Sequence, residues 1–280
     1  MFEAAAGTRL LHASLPFRID PPGAKEAVLL LHGFTGQPWE LSDVGKLLAG
    51  SGFAVYAPRY PGHGTRRVDF LATRAEDWAR RAIDAYLELR ADYRTVHVLG
   101  HSMGGLIATG VAASFDCPRL ILFAPAFLPL NKAMKWAPYV APFKPVIKRG
   151  RIPDPGEKNP VRLDQLREYS SDDLVAPAAQ LHRLVVKCGK MLPSVKSKIL
   201  VIAGEKDEAV SPDVGNFVKT KAVSAASVEG IVLKGAGHLF PFDERAAESS
   251  ALVREWMLAG EAEGRIGGAW DSLKASYWRP

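Results

Sequence analysis

The sequence predicts an α/β fold built on a mostly parallel sheet that is covered on both faces. Three observations carry that expectation. Short apolar or β-branched runs recur at 27–31, 53–57, 95–99, 120–124 and 198–203, as expected for strands buried on both sides. Stretches with helical spacing of apolar residues separate most of them. One strand-to-helix junction, Gly100-His101-Ser102-Met103-Gly104-Gly105, fits G-x-S-x-G between a β-branched run and an apolar helix face.

Taken in order, residues 8–19 read as a short strand or hairpin at a sheet edge, where Pro16 is tolerated. The loop 20–23 ends it, and strand 27–31 delivers the two-glycine turn His32-Gly33-Phe34-Thr35-Gly36. A helix over 41–49 is broken by Gly50-Ser51-Gly52. Strand 53–57 and the loop 59–65 follow, then a helix over 74–89 expected to bury Trp78, Ala82, Ile83, Ala85, Tyr86 and Leu89. Strand 95–99, the elbow, its helix and strand 120–124 complete the first half. From 126 to 193 the alternation stops: prolines are frequent, and the clearest helical pattern lies at 174–192. The alternation resumes with strand 198–203, helix 213–221, strand 230–233 and helix 243–257. The tail 260–280 reads as either a docked segment or a frayed end. The expected organisation is therefore a core of 1–125 and 194–280 with a cap insertion at 126–193.

Composition narrows the function. The chain has 280 residues, 48% of them hydrophobic, so it can build a large core. No apolar run approaches the roughly 18 residues of a membrane span. Residues 1–7 lack the basic start and apolar stretch of a signal peptide. Cys117 and Cys188 lie far apart without metal-like spacing, which favours reduced thiols and a cytoplasmic setting. The net charge of +6 is local: segment 131–151 holds Lys132, Lys135, Lys144, Lys148, Arg149 and Arg151 and no acid, so the remainder sums to zero. That argues against nucleic acid as a partner. It leaves a solvated face, a weak contact with an anionic lipid surface, or attraction to acidic groups on the substrate.

The elbow points to acyl chemistry. A serine on so tight a turn takes strained backbone angles, and flanking glycines let neighbouring backbone close in. The helix behind it aims free N–H groups at the place where negative charge would develop. A serine hydroxyl needs a base, and the base needs an orienting carboxylate. Both should lie at the C-terminal ends of strands, where Ser102 stands. Of seven histidines, His238 follows the last strand on a Gly-rich loop. His32 and His63 also end strands, while His101 is expected to turn away from Ser102. Asp207 follows strand 198–203, with Glu205, Glu208 and Asp213 as rivals.

With these segments in view, the chain resembles the α/β-hydrolases, specifically the bacterial carboxylesterase and monoacylglycerol-lipase-like group. The resemblance rests on 30–36, 58–65, 100–105, 204–212 and 235–238, and covers about 25–125 and 195–258. It implies the chain order Ser102, Asp207, His238 for nucleophile, acid and base. It also implies an oxyanion hole from the backbone N–H groups of Phe34 and Met103, and a reaction that needs no cofactor or metal. The insertion, where the resemblance is weak, would stand above Ser102. Phe127, Met134, Trp136 and Tyr139 are its expected substrate-lining residues, for a small-molecule ester with a short to medium acyl chain or a monoacylglycerol. The same triad also serves thioesterases, amidases and peptidases, and a ligand-binding protein could use the scaffold without turnover.

Overall fold

A computed structural model describes residues 12–150 and 160–259. Among the described residues seven strands form one sheet: β1 (Phe17–Ile19), β2 (Glu26–Leu31), β3 (Ala54–Ala57), β4 (Thr95–His101), β5 (Arg119–Phe123), β6 (Lys198–Gly204) and β7 (Ser227–Leu233). Their order across the sheet is β1-β3-β2-β4-β5-β6-β7. Only β1 is antiparallel, pairing Phe17 with Ala57 at the edge. The other pairs are parallel, as buried apolar runs such as Ala27 to Leu31 require.

Helices cover both faces. On one lie α1 (Ser42–Gly50) and α9 (Ala246–Ala259), whose Leu48, Val253 and Met257 pack with Val28, Leu30, Leu99 and Ile121. On the other lie α3 (Ala75–Asp92), α4 (Met103–Ser114) and α8 (Val214–Lys221), whose Trp78, Leu106 and Val214 pack with Leu29, Leu31, Val98 and Leu122. Successive side chains of one strand thus feed two different cores, which is why these strands show no alternation with polar residues. A short α2 (Arg67–Leu71) precedes α3.

Between β5 and β6 the chain leaves the sheet. This stretch holds α5 (Ala137–Val140), α6 (Pro160–Tyr169) and α7 (Val175–Met191). Ala137, Val175 and Ala179 form a small apolar cluster of their own there. Cys117 and Cys188 are both buried free thiols. Among the described residues no helix is long and apolar enough to cross a membrane.

Some boundaries differ from the sequence expectation. Strand β7 begins at Ser227 rather than 230, because the polar Ser227 and Glu229 hide the edge strand from an apolar reading. Residues 12–14 form a 3-10 turn, and only Phe17–Ile19 is strand. Helix α9 starts at Ala246: Asp243 takes the N–H of Arg245 on its side chain and that of Ala246 on its carbonyl, which makes 243–245 a cap. The amphipathic signal missed α6, whose sequence carries no apolar stripe. The tail 260–280 and the cation of Arg151 lie outside the described residues.

Candidate active site

The elbow is built by backbone contacts that exclude any side chain. A Cβ on Gly100 would stand 2.2 Å from the Gly104 carbonyl oxygen, and a Cβ on Gly104 would stand 2.0 Å from that of Leu31. Between them Ser102 takes φ +54° and ψ −114°, a conformation that costs about 1–3 kcal/mol and needs support. The support is visible. The Ser102 N–H donates to the Phe123 carbonyl at 2.8 Å, and the Ser102 carbonyl accepts from Gly105 and Ala126 N–H groups.

Asp207 and His238 converge on this serine from loops after β6 and β7. Ser102 Oγ lies 3.0 Å from His238 Nε2, and His238 Nδ1 lies 2.7 Å from Asp207 Oδ2. The other carboxylate oxygen, Oδ1, accepts the N–H groups of Ala209 and Val210 at 2.8 Å each. Burial alone would raise the Asp207 pKa, but the hydrogen bonds from His238 and from this backbone hold it below the usual carboxylate range. The stretch 128–130 braces the loop further, through Leu130 N–H to the Ala209 carbonyl and Ser211 N–H to the Leu128 carbonyl. An ionised Asp207 fixes Nδ1–H on His238, which leaves Nε2 as the ring nitrogen facing Ser102 Oγ.

Phe34 lies in the turn after β2. Gly36 N–H closes that turn on the Gly33 carbonyl at 3.1 Å. A Cβ on Gly33 would be 3.5 Å from that of Ser102, so this backbone runs against the elbow serine. His32 pins the turn: Nδ1–H donates to the Gly33 carbonyl at 3.0 Å, and Nε2 accepts from Tyr60 N–H at 3.3 Å. Met103 opens α4, so its N–H is one of the helix's unpaired first-turn donors.

Ser102 and His238 open into a cavity of about 210 Å³, whose wall includes Phe34, Glu40, His101, Arg162, Gln165, Leu166, Leu239 and Phe242. Phe127, Met134, Trp136 and Tyr139 are not among its lining residues. Phe127 turns inward onto Phe217, with ring centroids 5.8 Å apart. Trp136 and Tyr139 pair with each other at the surface, 59% and 71% exposed. Met134, half-buried, belongs to the same 3-10 turn as Trp136. Apolar composition marked these residues, but it does not tell which face of the insertion they occupy.

His101 makes a contact that sequence reading did not anticipate: buried beside His238, it donates from Nε2 to the His238 carbonyl at 3.0 Å, with the two rings 5.0 Å apart. Burial, with repulsion from His238, pushes its pKa down to about 3, so it stays neutral and acts as a fixed donor. Glu40, Arg162 and Gln165 were missed. The one available signal was Glu40 itself, an acid inside the apolar run Pro38-Trp39-Glu40-Leu41. Among the described residues no group of three or more His, Cys, Asp and Glu side chains is disposed to hold a metal ion.

A model of the alpha/beta hydrolase family matches residues 28–252. This chain belongs to the alpha/beta hydrolase family. It is a hydrolase, and its sheet order and elbow are those of that fold. Curated relatives include a carboxylesterase of Bacillus subtilis (strain 168), 24% identical over 200 residues, 70% of this chain and 78% of the relative. Another is a thermostable monoacylglycerol lipase of Bacillus sp. (strain H-257), 26% identical over 226 residues, 77% and 84% of the two chains. Among solved structures, one from work on the metagenome-derived lipolytic enzymes LipS and LipT superposes with a TM-score of 0.75 at 23% identity, covering 90% of this chain and 98% of that one.

Proposed function

We propose that this hydrolase cleaves carboxylic esters of small alcohols or glycerol, with short to medium acyl chains, through an acyl-serine intermediate. The observation that carries the reading is the unbroken line Asp207–His238–Ser102, at 2.7 and 3.0 Å, on the wall of a cavity. Ser102 Oγ attacks the ester carbonyl carbon as its proton passes to His238 Nε2. The resulting oxyanion is held by the N–H groups of Phe34 and Met103, each donor contributing about a hundredfold or more in rate. Collapse breaks the bond to the alkoxide, which leaves with the proton from Nε2. Water then attacks the acyl-serine by the same route, releasing the acid and restoring Ser102.

The relatives' names, carboxylesterase and monoacylglycerol lipase, support an ester as substrate. The cavity volume supports a short acyl chain, since it falls below the roughly 300 Å³ at which ligand pockets usually begin. The segment 126–193 acts in this reading as a cap, contributing Arg162, Gln165 and Leu166 to the wall. The test is hydrolysis of p-nitrophenyl esters of two to sixteen carbons, with Ser102→Ala as control. Activity peaking at or below about eight carbons and lost in the variant supports the reading. Ester activity absent, with thioester or amide turnover present, overturns it in favour of another acyl transfer.

The cap carries a second feature that bears on partners. Trp136, Tyr139 and Phe143 project into solvent, the last 85% exposed, beside Lys132, Lys135, Lys144 and Lys148. Among the described residues these four ammonium groups have no carboxylate partner. Exposed rings interleaved with lysines match the chemistry of an anionic lipid surface, with rings at the headgroup level and lysines near phosphate. We read this patch as a weak lipid contact.

A further inference from the structure

The cap reaches the oxyanion turn through the side chain of Gln165. Gln165 of α6 places its Nε2 2.7 Å from the Thr35 carbonyl oxygen and 3.0 Å from Glu40 Oε1. Both neighbours are acceptors, so the amide orientation is forced: its two N–H bonds are both committed. Glu40 can stand there only because Gly36 has no side chain, since a Cβ on Gly36 would lie 2.3 Å from Glu40 Oε2.

What Gln165 grips matters because peptide units are rigid planes, with C=O and N–H pointing opposite ways. The Thr35 carbonyl shares its plane with the Gly36 N–H. That N–H donates to the Gly33 carbonyl, which shares its plane with the Phe34 N–H. Two rigid planes and one hydrogen bond therefore join the cap amide to the oxyanion donor. The turn needs such holding. Thr35 sits at φ +58°, which a β-branched residue rarely adopts.

We propose that Gln165, oriented by Glu40, is a positioning residue for the oxyanion hole, so that the hole is fully formed only when the cap is docked. The proposal rests on the reading of Phe34 N–H as an oxyanion donor. It makes the cap part of the rate-determining geometry, in addition to shaping the pocket. A cap bearing the wrong side chain at this position would bind substrate as well and turn it over more slowly.

Other bonds dock α6 without touching the turn, and they supply the control. Tyr169 hydroxyl donates toward the Gly62 and Thr65 carbonyls at 3.2 and 3.1 Å, and Glu168 accepts the Arg67 N–H at 2.9 Å. Gln165→Met keeps length and removes both donors, while Tyr169→Phe loosens the same helix away from the turn. A displaced oxyanion donor should cost a fraction of a deleted one, so Gln165→Met is expected to lower kcat about tenfold with KM changed less than about twofold. Affinity for an alkyl boronic acid, which becomes a tetrahedral anion on serine, should fall by the same factor. Tyr169→Phe should leave kcat unchanged, and circular dichroism should show both variants folded.

Equal losses of kcat in the two variants would mean that α6 docking is merely structural, and would overturn the proposal. So would a Gln165→Met effect confined to KM, or none. The rate of Ser102 labelling by a fluorophosphonate keeps the outcome separate from the ester reading, since phosphonylation also places charge in the hole. If esters are not the substrate but labelling slows about tenfold in Gln165→Met, the ester reading fails and the positioning role stands. Unslowed labelling overturns the role whichever bond is the natural one.

Discussion

Acidification from pH 7 to pH 5 should destabilise the folded chain, and the structure sets the size of the loss. His32, His63 and His101 are buried and neutral. Burial pushes His63 and His101 down to about 3, and burial with repulsion from His63 pushes His32 well below its ordinary value. In the unfolded chain each titrates near pH 6.5. Below that pH the unfolded state therefore binds three protons that the native state refuses. The stabilisation these neutral rings allow is complete above about pH 6.5 and is lost as pH falls toward their native values. Each contributes about 1.4 kcal/mol per pH unit while its native ring stays neutral, so at pH 5 His63 and His101 have each cost about 2 kcal/mol, about 4 together, and His32 adds in the same direction. Glu40 works in the opposite sense. Burial raises it to about 7, so its contribution is greatest in acid and fades as pH rises through 7. Between pH 7 and 5 it returns about 2 kcal/mol, leaving a net loss of about 2 from these three groups, to which His32 adds, a substantial share of a typical 5–15. Urea unfolding at matched ionic strength measures this directly. His63→Leu should reduce the pH dependence by about 2 kcal/mol. Equal or greater stability at pH 5 than at pH 7 would refute the reasoning.

The remaining predictions concern the site and its surroundings. Asp207→Asn should cut kcat by about 10⁴ with KM little changed, because an amide no longer fixes the His238 tautomer; steady-state kinetics on a soluble ester reads it. Gly104→Ala should abolish the folded enzyme, its Cβ falling 2.0 Å from a backbone oxygen, whereas Gly110→Ala meets nothing closer than 3.8 Å and should stabilise α4 by about 0.5–1 kcal/mol in thermal melts. Reversing Lys132, Lys135 and Lys144 to Glu should reduce co-sedimentation with vesicles containing anionic phosphatidylglycerol and leave hydrolysis of a soluble ester intact. Unchanged vesicle binding would show that the patch is only a solvated face.

How legible this molecule was depends on what each residue type can announce. The elbow was readable because its geometry forbids side chains at 100 and 104, and only glycine records that in a sequence. Asp207 and His238 were found by position, at the ends of strands whose apolar runs were themselves clear, and the structure brings both to Ser102. The cavity wall was not readable. Helix α6 divides its surface among a cavity, a turn and solvent, so it carries no apolar stripe, and Arg162 and Gln165 look like ordinary surface residues. Trp136 and Tyr139 failed in the opposite way: hydrophobicity marks a residue as worth burying, but here the rings face outward. The bond from His101 to the His238 carbonyl was not readable either, because nothing in β4 announces the loop that folds over it.

The central claim is that Ser102 carries the acyl group. Acid-quenching the enzyme during turnover of p-nitrophenyl butyrate and locating the adduct by peptide mass spectrometry tests it most directly. A single butyryl group on the peptide containing Ser102, absent from Ser102→Ala together with turnover, is the predicted result. Turnover that survives in Ser102→Ala, or an acyl group found on any other residue, would contradict it.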